Sequence, residues 1–269
     1  MRVNRGTLHG LAAAVLLLGA GVAQAALQPY TNAGANLVYS TGQDLTWTAD
    51  ANLFKTQCDA EGASNCPNLI TAIIAAGSPV TDSLGSHPVL PTEFNQFTGR
   101  MTWYAAQAWV AYLNNIRYGG ATNWRLWAAD PADTNCSLNF NPGGGFPTQY
   151  YGYGCTGNEL GYLYYEEGGA TPRTGPGPAI STLGPLSVFE HLQDNIYWSG
   201  TEYAPLPDLA WYFNAENGYQ GNVSKDLQGY GWAVRPGQVA PPQPIPTVSV
   251  WGLGLLGLLL AGLARARLR

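Results

Sequence analysis

Charge is scarce in this chain of 269 residues: Asp, Glu, Lys and Arg together make up 11% of it, and only three histidines are present. No run of Lys and Arg lies between its two ends, so nucleic acid is excluded as an expected partner, because phosphate binding needs grouped cations. Sulfated, heparin-like glycans are disfavoured for the same reason. A Gly-x-Ser-x-Gly nucleophile elbow is missing, as is the full calcium loop of an EF-hand. No internal repeat stands out. The cysteines are not in the tight pairs of a zinc site, and the nearest histidine, His87, is far along the chain.

What is present begins at the ends. Arg2 and Arg5 precede an apolar run from Leu11 to Val22, and Ala23-Gln24-Ala25 places small residues where a signal peptidase reads. Residues 1–25 therefore read as a secretory signal peptide, cut between Ala25 and Ala26. At the other end, Val248 to Leu263 is sixteen residues with one polar side chain, Ser249, followed by Arg265, Arg267 and Arg269. A helix there spans roughly 24 Å at about 1.5 Å per residue, somewhat short of the ~30 Å hydrocarbon core that flanking side chains help to bridge. The three arginines should stay in the cytoplasm and Trp251 at the opposite interface. Residues 248–269 are thus expected to form a transmembrane helix, and the inner membrane is an expected partner.

Between the ends, residues 26–237 hold enough chain for one domain with a sizeable core, or two small ones. Seven basic residues stand there against all seventeen acids, so this stretch carries about −10, twice the whole-chain value of −5. Eight of the nine tryptophans and all sixteen tyrosines lie in it. Such a mix suits short strands, tight turns and stacked rings, in a carbohydrate-facing domain or in any small β-rich extracellular fold. Four cysteines in an exported chain point to two disulfides. Three pairings are open, and proximity favours Cys58–Cys66 and Cys136–Cys155.

Along this stretch, residues 43–47 alternate as a strand. Thr48 to Lys55 reads as a turn or short helix. Pro67 to Ala76 reads as a helix ended by Gly77, and Ser78 to Gln96 as a loop. Thr102 can cap the clearest helix, whose stripe is Trp103, Ala106, Val110 and Leu113, widened by Trp109, Tyr112 and Ile116. Gly119-Gly120 is expected to stop it. Thr122 to Trp127 reads as a strand, 128–157 as loop, Asn158 to Tyr165 as a short helix, and Gly168 to Pro178 as loop. Ile196–Ser199, Leu209–Phe213 and Tyr230–Arg235 are strand candidates, with a turn at Asn217-Gly218 implying an antiparallel pair. Residues 238–247 form a proline-rich linker.

Two resemblances follow from particular strings. Ile245-Pro246-Thr247-Val248-Ser249-Val250-Trp251 resembles the IPTL-type C-terminal sorting signal of Gram-negative exosortase systems, with Val248 where leucine is usual and Val250 where an acid is frequent. The resemblance implies an exosortase-type processing protease as partner and a temporary anchor; a simple permanent anchor is the alternative. Asp44-Leu45-Thr46-Trp47, Gly99-Arg100-Met101-Thr102-Trp103, Asn123-Trp124-Arg125-Leu126, Tyr197-Trp198-Ser199-Gly200, Ala210-Trp211-Tyr212-Phe213 and Trp232-Ala233-Val234-Arg235 together resemble the Lcl-type C-terminal domain family, named for bacterial collagen-like adhesins. That resemblance covers about residues 43 to 237. It implies an α+β, C-type-lectin-like domain with one main helix and a twisted antiparallel sheet, and a binding or adhesive role in some members. Ala128 after Trp127 replaces the family's Pro-Thr, and residues 56–96 are an insertion.

The matching residues read as scaffold: Trp103, Trp124, Trp198, Trp211 and Trp232 as fillers between helix and sheet, with Arg125 and Arg235 flanking such rings and able to pair with Glu159, Glu202 or another carboxylate. No catalytic set and no cofactor are expected. His191 with Asp194 and Ser199 lacks a hydrolase context, Glu166-Glu167 are adjacent rather than opposed, and Asp130, Asp133 and Asn135 offer calcium only a loop spacing. The expectation is a non-enzymatic, exported protein, membrane-anchored by its C-terminal helix and then found at the surface or in the extracellular matrix. A calcium-assisted carbohydrate-binding module is the first alternative, with glycan as its partner, and a secreted enzyme of unrecognised type is the second.

Overall fold

The computed structural model describes residues 27–62 and 66–238. The expected signal peptide with its cut between Ala25 and Ala26, the linker from 239 onward, and the tail with Ile245, Pro246, Thr247, Val248 and Trp251 lie outside the described residues. Among the described residues, no helix is long and apolar enough to cross a membrane.

The fold is α+β, with several sheets and few helices. In chain order come β1 (Leu27–Asn32), β2 (Ala35–Ser40), β3 (Leu45–Thr48), α1 (Leu53–Ala60), α2 (Pro67–Gly77), β4 (Val80–Asp82), β5 (Gly85–His87), β6 (Phe94–Asn95), β7 (Arg100–Met101) and α3 (Trp103–Asn115). Then follow β8 (Arg125–Leu126), β9 (Leu138–Phe140), β10 (Gln149–Tyr151), α4 (Glu159–Tyr162), β11 (Ile196–Glu202), β12 (Leu209–Asn214), β13 (Tyr219–Ser224), β14 (Tyr230–Gly231) and β15 (Ala233–Pro236). One sheet runs β1-β2-β3-β15-β8, antiparallel throughout. A second runs β13-β12-β11-β14 and ends on a parallel pair, and three two-stranded sheets, β4-β5, β6-β7 and β9-β10, complete the set among the described residues.

Successive strand residues point to opposite faces, and both faces are covered here. Leu37, Trp198, Ala210 and Ala233 join α1, α2 and α3 in one core. Their chain neighbours Val38, Tyr197, Trp211 and Val234 enter a second core under α4 and the loop-rich residues 163–189. This double burial explains why the central strands read as nearly continuous apolar runs rather than as clean alternation. Burying one large apolar side chain is worth about 1.5–3 kcal/mol. Trp47, Trp109, Trp127, Trp198, Trp211 and Trp232 are all essentially inaccessible to solvent and dominate that term.

The helix at Trp103 begins as expected, with the Thr102 hydroxyl accepting from Ala105 N. Its end does not. Arg117 turns left-handed at φ 54°, so the helix stops at Asn115, before Gly119-Gly120, and Ile116 is exposed at the C-cap instead of widening the stripe. It is also not a lone main helix, since α2 has 11 residues against 13 in α3. The segment 48–55 becomes helical only from Leu53, because Asp50 Oδ1 accepts Asn52 N and holds residues 50–52 in a turn. The expected loop 78–96 contains the β4–β5 hairpin, and the expected loop 128–157 contains β9–β10. Only Arg125–Leu126 of the strand at 122–127 pairs. Residues 230–235 break at Trp232: Tyr230–Gly231 joins one sheet and Ala233–Pro236 the other. The turn at Asn217-Gly218 pairs β12 with β13, a strand missing from the sequence reading.

Candidate functional site

The groove that stands out is built from rings. Its frame is the loop closed by the Cys136–Cys155 disulfide, which carries the β9–β10 hairpin. That hairpin is stitched to the free edge of the four-stranded sheet by Gly152 and Gln220, which exchange backbone hydrogen bonds of 2.8 and 2.7 Å. Between hairpin and sheet lies a cavity of about 250 Å³ lined by Phe140, Tyr151, Tyr203, Trp211, Tyr212 and Tyr219, with Gln149, Gly221 and Asn222 between them. No lining residue is charged. The volume lies at the small end for ligand pockets.

Each ring is placed by its strand. Trp211 and Asn222 are cross-strand partners, as are Tyr212 and Gly221. Tyr203 meets Trp211 edge-on at 5.5 Å, and Tyr153 meets Tyr219 edge-on at 5.3 Å. Gly221 keeps the floor open: a Cβ there would come within 2.9 Å of the Tyr219 ring and 3.1 Å of the Tyr212 hydroxyl. Phe140 is 54% exposed and offers a free apolar face at the rim. Burial pushes the hydroxyls of Tyr203, Tyr212 and Tyr219 above the ordinary tyrosine range, so they remain neutral donors and acceptors. The site can stack against a flat or ring-shaped apolar face and hydrogen-bond around it. It holds no paired carboxylates and no histidine.

The residues named from sequence are placed as follows. The indole N–H groups of Trp103, Trp124, Trp198 and Trp232 donate to the carbonyls of Ser199, Tyr118, Met101 and Thr48 at 2.8–3.0 Å, and all four rings are buried. Trp211, grouped with them, forms the back of the groove, and its Nε1 has no hydrogen-bond partner. Arg125 does pair with Glu159, in a two-pronged contact of 2.7 and 2.5 Å. Arg235 instead donates to the Asn123 side-chain oxygen. Cys58–Cys66 and Cys136–Cys155 are both disulfides.

The Asp133 carboxylate, 5% exposed, accepts from Asn135 N, Gly157 N and Asn158 Nδ2, while Asp130 Oδ1 accepts from Ala132 N. These oxygens hold their own loop together, which leaves calcium few of them. Cys136 and Cys155 lie beside Asp133, but their sulfurs are bonded to each other. His191, Asp194 and Ser199 are not brought together. His191 Nδ1 is 3.0 Å from Asp50, Asp194 accepts from Ser181, and the Ser199 hydroxyl donates to Trp211 O. Glu166 pairs with Arg173, whereas Glu167 accepts from Ser40.

Sequence reasoning missed Phe140, Tyr151, Tyr203, Tyr212 and Tyr219 as a set. The only signal was tyrosine density, with no spacing to mark convergence. Comparison with known families finds the IPTL-CTERM motif at residues 243–269. The tail is an exosortase-type sorting signal. The IPTL-CTERM motif marks the chain as exported to the cell envelope or surface, and it implies processing by an exosortase, a membrane protease. No curated protein and no solved structure matches the chain.

Proposed function

We propose that the chain is a non-enzymatic surface or matrix protein whose 26–237 domain, a C-type-lectin-like fold of the Lcl-type family, binds an uncharged saccharide in the ring-lined groove. One observation carries this reading: Phe140, Tyr151, Tyr203, Tyr212 and Tyr219, backed by the buried Trp211, converge on one cavity that no charged residue lines. Sugar rings present apolar C–H faces bordered by hydroxyls. Aromatic faces match the former, and the phenol, Asn222 and Gln149 groups match the latter. The same lack of charge argues for adhesion rather than catalysis, because glycoside chemistry needs two carboxyl groups across the bond. Calcium has no part in this reading, because both Asp133 oxygens and Asp130 Oδ1 accept from loop amides. The C-terminal helix holds the newly exported chain in the inner membrane of a Gram-negative-type cell until exosortase processing releases it to the surface.

The test is a glycan array probed with the full chain in detergent, with and without chelator, beside Phe140→Ala. Neutral glycans should be retained in chelator, and the variant should bind them less well. Binding restricted to acidic glycans, or unaffected by loss of the Phe140 ring, would refute the reading.

A further inference from the structure

Far less exposed than the groove is a lysine. Lys225, one of two lysines in the chain, follows β13 and is 1% exposed. Its Nζ lies 2.6 Å from Asp82 Oδ2 and 2.9 Å from Glu202 Oε2. The Asp82 side chain is 2% exposed. Trp103 lies 4.5 Å from the ammonium, centroid to Nζ, and Tyr104 lies 5.5 Å away. Ser83 donates to Glu202 through its hydroxyl at 2.5 Å and through its backbone N. A buried amine, a buried carboxyl group as its electrophile and a second, 27% exposed carboxyl group thus meet beside two aromatic rings.

We propose that Lys225 and Asp82 are joined by an amide bond that the folded domain makes itself, with Glu202 carrying protons. An ammonium–carboxylate pair contains the atoms of an amide plus one water. In solvent the pair stays ionic because water stabilises both charges. Burial of the amine and of the Asp82 side chain removes part of that stabilisation. Fixed contact supplies the proximity that a bimolecular condensation lacks. Nζ gives up a proton, and its lone pair attacks Asp82 Cγ. A C–N bond forms, one Cγ–O bond breaks, and water leaves. Two of the three Nζ protons end on the departing oxygen, one directly and one by way of Glu202. No oxidant, metal or cofactor enters the balance. Burial opposes charge on both carboxyl groups, yet hydrogen bonds from Lys225 and its neighbours hold them below their usual range while the pair is ionic. That ionic state is the reactant.

Mass spectrometry decides the matter on the wild-type full chain, after reduction, alkylation and tryptic digestion. The expected result is one branched peptide containing Asp82 and Lys225, lighter by one water than its two parts and uncut after Lys225. Two separate peptides, with Lys225 cleaved and open to acylation, overturn the proposal. Glu202→Ala keeps both reacting residues and should accumulate chain at its full sequence mass; complete linkage in that variant removes Glu202 from the step. The wild-type measurement stands alone should a variant fail to fold.

Discussion

Replacing Asp133 with alanine probes the frame of the groove directly. Its carboxylate is 5% exposed and receives three N–H donors: Asn135 N at 3.0 Å, Gly157 N at 2.7 Å and Asn158 Nδ2 at 3.1 Å. Hydrogen bonds to a charged acceptor contribute about 1.5–3 kcal/mol each when buried. The backbone donors are in loops where water can replace part of the loss, so the expected total is about 3–5 kcal/mol. For a domain of this size each kcal/mol moves the melting temperature by about 2–4 °C. Asp133→Ala should therefore melt roughly 10 °C below wild type. Differential scanning calorimetry with and without calcium reads both the loss and its cause. Calcium should move neither protein. A variant melting within a degree of wild type would show that the loop does not depend on this acceptor. A calcium-induced rise in wild type that vanishes in Asp133→Ala would show the carboxylate to be a metal ligand, contrary to the reasoning.

Two further outcomes can be checked by urea unfolding. The Arg125–Glu159 fork is partly exposed, at 38% and 20%, so solvent screening brings it well below a buried pair; a double-mutant cycle with Glu159→Gln and Arg125→Met should give a coupling of about 1 kcal/mol, and a value near zero would remove the fork from the stabilising contacts. Glu167 is pushed above the ordinary carboxyl range by burial, which its hydrogen bond from Ser40 only partly offsets. Its protonated form is favoured on folding, so its contribution is full below the unfolded carboxyl value near about pH 4.3 and is lost as pH rises through the folded one. Glu167→Gln should therefore gain on wild type between acidic and neutral pH, and a pH-independent difference would contradict the assignment.

What was legible in the sequence was local. Thr102 caps its helix through a hydroxyl three residues from its partner, and helical spacing exposes the stripe that follows. The β1–β2 hairpin was not legible. Its turn uses Ala33 at φ 45° and Gly34 at φ 80°, where an Asn-Gly pair would have announced it. Ile116 belongs to the helical stripe by spacing alone, and only the left-handed Arg117 takes it out of the core. The groove draws on residues from Phe140 to Asn222, brought together by a disulfide, a lone bridge and a sheet edge. No periodicity encodes that. No sequence signal marks Lys225, which meets Asp82 only through the placement of the β4–β5 hairpin.

The last strand among the described residues is not at an edge. β15 lies between β3 and β8, and its exit is pinned where Gly237 N donates to Asp44 O and Gly237 O accepts from Thr46. A pull transmitted along an anchored tail therefore meets the β3 ladder at Arg235–Pro236 first and the β8 ladder at Ala233–Val234 behind it, instead of peeling a strand from a rim. A tether attached this way drags on an interior strand, which cannot leave the sheet without breaking bonds on both of its sides.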